Sequence, residues 1–136
     1  MSVPVPKRDT GELEVNTAAR QLCVYTLQIT GNPKHFDQAH ADVIALLRRY
    51  AIEIHALCWR ANNIKVTCQS RYEARMTAQD KAADLCNDLY AMIEVCKPLF
   101  HMASKRKVYW QGLVVKTRNL IRGWHDTDVK RLKPEG

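Results

Sequence analysis

Histidine and cysteine are the residues of this sequence best suited to bind a metal or take part in catalysis, and their spacing argues against both. No two of the five histidines are three or four residues apart, the spacing that places two imidazoles on one helical face to hold a metal. The nearest approach to a metal motif is the pair Asp37 and His40. Bundle enzymes with two metal ions need two such pairs and further acidic residues on other helices. We therefore expect no catalytic residue, no metal and no cofactor.

The five cysteines are predicted to be reduced thiols, because they are odd in number and none forms a C-x-x-C pair. At least four fall at apolar positions of predicted helices, where a free cysteine behaves as a small buried hydrophobe. Redox or zinc chemistry is the alternative. The sequence also lacks the glycine-rich phosphate-binding motifs and the H-E-x-x-H zinc motif.

Size and composition indicate one folded domain. The 136 residues are 46% hydrophobic and 26% charged, which is typical of a globular chain. The longest stretch without a charge, residues 21–33, is too short and too polar for a membrane-spanning helix, which needs about 20 apolar residues. The first eight residues lack the apolar run of a signal peptide. We expect a cytoplasmic protein that does not bind a membrane.

Apolar residues recur three and four positions apart in four segments, which predicts four helices. The first covers residues 15–29 and stops before Gly31 and Pro33, because glycine accepts the left-handed C-cap conformation and proline cannot continue a helix. Asp37 is placed to cap the second helix, whose apolar stripe covers residues 43–58 and which is expected to break at residues 61–63.

The third helix is predicted to open on a capping box of Ser70 and Glu73 and to end before Pro98. Ser104 is the predicted cap of the fourth, whose stripe covers residues 110–124. Four amphipathic helices with short connections predict an all-α fold, an antiparallel four-helix bundle. We expect an N-terminal arm at residues 1–12, the bundle at residues 13–126 and a frayed basic tail at residues 127–136.

Positive charge is concentrated at the end of the chain. Residues 101–136 hold 9 basic and 3 acidic residues, whereas residues 1–100 hold 12 and 11. The fourth-helix cations flank the apolar stripe and, with those of the tail, predict a surface that binds nucleic acid or a polymerase. The predicted binding residues are Lys105, Lys107, Lys116, Arg118, Arg122, Lys130, Arg131 and Lys133. The alternative is a basic helix face that serves solubility alone.

Two pairs of apolar residues lie off the predicted core stripes, each pair spaced seven apart. Ile52 and Trp59 belong to the second helix, and Val108 and Val115 to the fourth. Aligned apolar groups that face outward from a bundle are typical of an interface. We predict that these four residues form an oligomer or partner interface.

Several segments of this basic four-helix chain resemble the accessory variability determinants of diversity-generating retroelements. They are LCWRAN at residues 57–62, SKRKVYW at 104–110 and LIRGW at 120–124, together with Arg71 and Gln79 at the start of the third helix. The wider four-helix family also holds the ribosomal RNA intervening-sequence proteins. The resemblance covers about residues 15–126, and its most specific part is the final helix ending in Gly-Trp.

The resemblance implies a homopentamer in which five bundles pack side by side into a basic barrel without a catalytic site. It implies binding to the reverse transcriptase of the element and to the structured RNA that serves as template and primer. That complex performs the error-prone, adenine-directed cDNA synthesis that diversifies a target gene. The outward apolar residues would then seal the protomers, and the fourth-helix cations would face RNA, cDNA or the polymerase.

Other interpretations stay open on the residues alone. The first is a four-helix protein-interaction scaffold without a nucleic-acid role, whose basic face is only solvated. A weaker one is a metal-dependent bundle enzyme that uses His40 and nearby acidic residues. Helical patterning also does not separate the retroelement role from that of the intervening-sequence relatives.

Overall fold

Four long α-helices make up nearly all of the computed structural model, which describes residues 10–134 and the side chains of residues 14–134. They are α1 (Thr10–Thr30), α2 (Ala41–Asn63), α3 (Gln69–Leu99) and α4 (Ser104–Leu132). A single 3₁₀ turn, Gln38–His40, precedes α2, and the described part of the chain contains no strand. The predicted all-α four-helix bundle is confirmed.

Short connections make successive helices antiparallel. Each helix packs on two others, in the order α1, α2, α3, α4 and back to α1, so α2 and α4 lie diagonally across the bundle. The connections at residues 31–40 and 100–103 meet at one end, which we call the two-loop end. The α2–α3 connection and the last turn of α4 meet at the opposite, one-loop end.

The core consists of one buried stripe from each helix. Its largest side chain is Trp110, which is fully buried and donates its indole N–H to the hydroxyl of Thr26 at 3.0 Å. Leu22, Leu47 and Ile93 are also fully buried. Burial of each such side chain stabilises the fold by about 1.5–3 kcal/mol.

Most helix ends fall at the predicted breaks, and the exceptions have local causes. Asp37 caps the 3₁₀ turn rather than α2, because its Oδ1 accepts from the Ala39 amide at 2.9 Å. The prediction that Ser70 and Glu73 form a capping box is wrong. The extended residue before α3 is Cys68, whose carbonyl already accepts from the Tyr72 amide at 3.0 Å, so Ser70 lies inside the first turn.

The end of α3 also differs from the prediction. Pro98 lies inside the last turn, and the helix ends at Leu99. Proline costs one backbone hydrogen bond there. The next bond, from the Phe100 amide to the Cys96 carbonyl at 2.9 Å, still closes the turn.

The first and last helices extend past the predicted ends of the bundle. The first helix begins at Thr10, inside the predicted arm, and residues 1–9 lie outside the described residues. The last helix continues to Leu132, so residues 127–132 are helical rather than part of a frayed tail. Asp128 is 1% exposed within this helical segment.

A buried polar network holds Asp128. Its Oδ2 accepts from Arg75 Nε at 2.8 Å and from Gln79 Nε2 at 2.7 Å, both on α3. The Arg75 guanidinium also lies 5.1 Å from the ring centroid of Trp124. The sequence at residues 126–128 predicted a frayed tail because these partners of Asp128, 53 and 49 residues away, do not appear in local sequence.

No helix within the described residues is both long enough and apolar enough to cross a membrane.

Asp128→Ala is expected to lower the free energy of unfolding by about 3 kcal/mol, because it removes the buried acceptor shared by Arg75 and Gln79. Urea unfolding followed by circular dichroism measures this change. Asp126→Ala is the matched control, since the side chain of Asp126 is 80% exposed, and it should change the free energy by less than about 0.5 kcal/mol. Equal, small effects of both substitutions would show that the end of α4 frays.

Candidate nucleic-acid interface

The eight predicted binding cations do not form one surface. Lys105, Lys116 and Arg122 are exposed along α4. Lys130, Arg131 and Lys133 are exposed at the one-loop end. Lys107 and Arg118 are half-buried and bond to side chains of α3.

Lys107 is engaged by an acidic partner. Its Nζ lies 2.9 Å from Glu94 Oε2, and Gln111 donates to the other oxygen of Glu94 at 3.1 Å. Hydrogen bonds from Lys107 and Gln111 lower the pKa of Glu94, which keeps this carboxylate ionised. The charge of Lys107 is therefore compensated within the bundle.

Arg118 has a similar structural contact. Its Nη1 donates to Asn87 Oδ1 on α3 at 3.1 Å. Its Nε is buried and has no hydrogen-bond partner among the described residues. Arg118 is thus oriented toward the α3–α4 boundary, and a phosphate would compete with Asn87 for it.

The side of α4 that faces α1 carries aromatic side chains beside further cations. Tyr25 of α1 and Tyr109 of α4 pack edge to face, with ring centroids 5.0 Å apart. Arg20 lines the groove formed by the same two tyrosines. Burial raises the pKa of Tyr25, and the positive charge of Arg106 partly opposes that rise, so Arg106 also lies near this pair.

Helical spacing adds two predicted cations to this side. Lys105 and Lys116 stand four residues before and seven residues after Tyr109, positions that share one side of a helix. We call this surface the α1–α4 face. Its residues are Arg20, Tyr25, Lys105, Arg106, Tyr109 and Lys116.

Acidic residues are sparse around the α1–α4 face. Among the described residues of α1 and α4, the solvent-exposed carboxylates are Glu14 and Asp126, both toward the one-loop end. Exposed acids are instead carried by α3 and include Asp80, Asp84 and Asp88. The positive charge of the α1–α4 face is therefore not compensated by nearby described carboxylates, and it lies next to the rings of Tyr25 and Tyr109.

Sequence reasoning missed Arg20, Arg106 and the two tyrosines as site residues. Tyr25 follows the apolar period of α1 and was expected in the core, whereas it is half-buried at the groove. A signal was present: residues 15–36 and 95–125 contain no Asp or Glu. Where two long segments without acidic residues pack side by side, the surface between them is predicted to carry only positive charge.

Three of the four predicted interface residues face outward. The exposed fractions are 48% for Ile52, 56% for Trp59 and 69% for Val108. Val115 is half-buried, which corrects its predicted outward position. A step of seven residues rotates the side chain by about 20° around the helix, so Val108 and Val115 do not point in the same direction. Val24 on α1, 46% exposed, adds an apolar group that was not predicted.

The cysteines divide into two environments. Cys23, Cys58, Cys86 and Cys96 are buried, as predicted for at least four of them. Burial raises the pKa of Cys23, and it raises those of Cys58, Cys86 and Cys96 to about 12. Cys68 is exposed, and hydrogen bonds from the Ser70 side chain and the Arg71 amide lower its pKa. The described residues contain no group of three or more side chains placed to hold a metal ion.

Comparison of the chain with protein-family models, with curated proteins and with solved structures gives no match. The resemblance to accessory variability determinants therefore stays a prediction that rests on residue motifs.

Cys68 is expected to be the single fast-reacting thiol of the folded protein. Its lowered pKa increases the reactive thiolate near neutral pH, whereas the raised pKa and burial of the other four suppress reaction. A colorimetric disulfide reagent should titrate one thiol in the native protein and all five after denaturation. Cys68→Ser should remove the fast phase, and Cys23→Ser should leave it intact. Two or more fast thiols would contradict this assignment.

Proposed function

We propose that this protein is a non-catalytic, RNA-binding accessory subunit of a diversity-generating retroelement. It assembles into a homopentamer and holds the structured template RNA, and the cDNA copied from it, against the reverse transcriptase. The observation that carries this proposal is the α1–α4 face, which combines four cations with two tyrosine rings. The resemblance of the final helix to the retroelement accessory proteins supplies the partner and the process.

Electrostatic attraction supports a polyanionic ligand. A nucleic acid releases condensed counterions when Lys and Arg neutralise its phosphates, and this release drives binding at low salt. Lys105 and Lys116 are separated by about 16 Å along α4, at 1.5 Å per residue. The cations of the face can therefore contact several phosphates of one strand.

The tyrosines favour RNA with unpaired bases over a plain duplex. Tyr109 is 52% exposed, so part of its ring is free for stacking. Structured RNA presents loops and bulges whose unstacked bases pack on aromatic side chains, and this contact tolerates any base. Arg20 and Gln21 line the same groove and offer hydrogen-bond donors to the backbone.

The outward apolar residues support a ring of protomers. Ile52 and Trp59 lie on α2, whereas Val108 lies on the diagonally opposite α4. Two different patches on opposite sides of one protomer form a head-to-tail contact, which closes into a ring when the rotation allows it. Charge favours the same pairing, because α2 exposes Arg49 and Arg60 and the α3 surface beside α4 exposes acidic side chains. The number five comes from the resemblance.

The second candidate function is a protein-interaction scaffold without a nucleic-acid role. It is favoured by the exposed Trp59 and Val108, because exposed apolar side chains are typical of protein interfaces whether or not RNA is bound. The two candidates differ in what the cations of the α1–α4 face do.

Lys105→Glu/Lys116→Glu is expected to weaken binding of a structured RNA at least tenfold near 0.1 M salt. Each lost phosphate contact should also reduce the slope of log affinity against log salt by about 0.7–0.9. Fluorescence anisotropy across a salt series measures both quantities. Lys81→Glu, at an exposed position of α3, is the control and should alter neither by much.

RNA affinity that persists at high salt, or that the double substitution leaves unchanged, would contradict the proposal. Complete absence of RNA binding by the unmodified protein would favour the scaffold.

The solution mass tests the assembly. Light scattering should give five times the 15.6 kDa of one chain. Trp59→Asp and Val108→Asp should each reduce this mass without loss of helicity, because a buried, unpaired carboxylate opposes the apolar contact. Thr77→Asp, at an exposed polar position of α3, should leave it unchanged. A monomeric unmodified protein would exclude the ring.

A further inference from the structure

A cleft at the two-loop end adjoins the α1–α4 face and collects basic side chains of a different kind. Its cavity volume is about 80 Å³, which is room for a group of phosphate size. The residues that line it include His35, His101 and Arg106. None of the described residues that line it is acidic. We call it the two-loop cleft.

Packing between two aromatic rings joins the two loops that carry these histidines. Phe36 is 1% exposed and its ring lies 4.7 Å from that of Phe100, which joins the α1–α2 loop to the α3–α4 loop. His101 adopts a left-handed backbone conformation with φ of 52°. The Met102 amide, which donates to the Lys97 carbonyl at 2.9 Å, fixes the turn that contains it.

We propose that the two-loop cleft binds a phosphate monoester, and specifically the terminal 5′-phosphate of an RNA strand that lies along the α1–α4 face. A monoester carries nearly two negative charges at pH 7, whereas each internal phosphodiester carries one. Protonated imidazoles and a guanidinium donate charge-assisted hydrogen bonds to such a group. Arg106 belongs to both the face and the cleft, so the two surfaces are continuous. The choice of RNA as the carrier of the phosphate rests on the proposed function.

The charged groups of the elements packed around the cleft are mostly basic. Lys97 of α3 donates to the Met102 carbonyl at 3.2 Å, and Arg106 comes from α4. His40 packs edge-on against Phe100 with centroids 5.6 Å apart. The acid of the α1–α2 loop is Asp37, whose exposed carboxylate accepts from the Ala39 amide. The remaining charged side chains of the two loops and adjoining first turns are Lys34, Asp42, Lys105 and Lys107.

The test compares one RNA oligonucleotide in two forms, with a 5′-phosphate and with a 5′-hydroxyl, on the full chain by fluorescence anisotropy. The 5′-phosphate should improve affinity about tenfold. His35→Asn/His101→Asn should bring this ratio close to one and leave the affinity for the 5′-hydroxyl form unchanged. Asparagine is chosen because it is neutral and tolerates the left-handed backbone of position 101.

His125→Ala is the control, because His125 lies 3.3 Å from Asp80, on α3, and does not line the cleft. It should preserve the affinity ratio of the two RNA forms. Lys105→Glu/Lys116→Glu should weaken both RNA forms and also preserve the ratio, so failure of the proposed function and failure of this inference give different results.

Competition identifies the source of the phosphate. Inorganic phosphate and a nucleoside 5′-monophosphate should each abolish the 5′-phosphate advantage at millimolar concentration without displacing the 5′-hydroxyl RNA. If neither RNA binds, calorimetric titration with the monophosphate decides, and heat that the double asparagine variant removes would support the cleft. A ratio of one in the unmodified protein, or a ratio that survives the asparagine substitutions, would overturn the proposal.

Discussion

Complete burial of Trp110 fixes the position of α4 against α1, and both candidate surfaces depend on that contact. The indole N–H donates to Thr26 of α1 at 3.0 Å, and a buried donor left without its acceptor would cost about 1–3 kcal/mol. The Trp110 ring also meets Tyr25 at 6.4 Å and Phe36 at 6.1 Å. Tyr25 borders the α1–α4 face and Phe36 lines the two-loop cleft. One buried side chain therefore sets the relative position of both.

Bundle geometry also explains why charges of opposite sign are separated. Each helix buries one stripe and exposes one strip, so the acids of α3 and the cations of α4 meet only along their shared boundary. At that boundary Lys107 pairs with Glu94, and Arg118 donates to Asn87. Among the described side chains, the side of α4 next to α1 has no such partners, and its positive charge remains available. Solubility alone is served by interspersed charges of both signs, whereas a polyanion requires charges sorted by sign.

Sequence reasoning succeeded where neighbours within a turn or two decide the structure. Gly31 and Pro33 ended α1, and the three-four spacing of apolar residues identified the helices, because both effects are local. It failed where distant residues decide. Asp128 looked like part of a polar tail, and only its bonds to Arg75 and Gln79 across the bundle show why it is buried.

The candidate site shows the same division. The cations of α4 were predicted from composition and helical phase. The sequence did not predict which of these cations lack an acidic partner. Lys105 and Lys107 are two residues apart, yet Lys105 faces solvent and Lys107 pairs with Glu94. Arg20 was missed for a related reason. It belongs to a helix with little charge, and it joins the site only because Trp110 brings α1 beside α4.

The two ends of the bundle differ in whether their charged side chains are buried in pairs or exposed to a ligand. At the one-loop end, Arg75 donates to Asp128 inside the protein, and both side chains have almost no access to solvent. At the two-loop end, His35 and His101 are exposed on loops that aromatic packing already holds in place. Side chains on fixed loops lose little conformational entropy when a ligand binds, so more of the charge attraction appears as affinity. Arg106 is half-buried, lies near Tyr25 and lines the cleft, so it belongs to both surfaces. In the proposed complex, a strand bound to the face would therefore reach the cleft at Arg106.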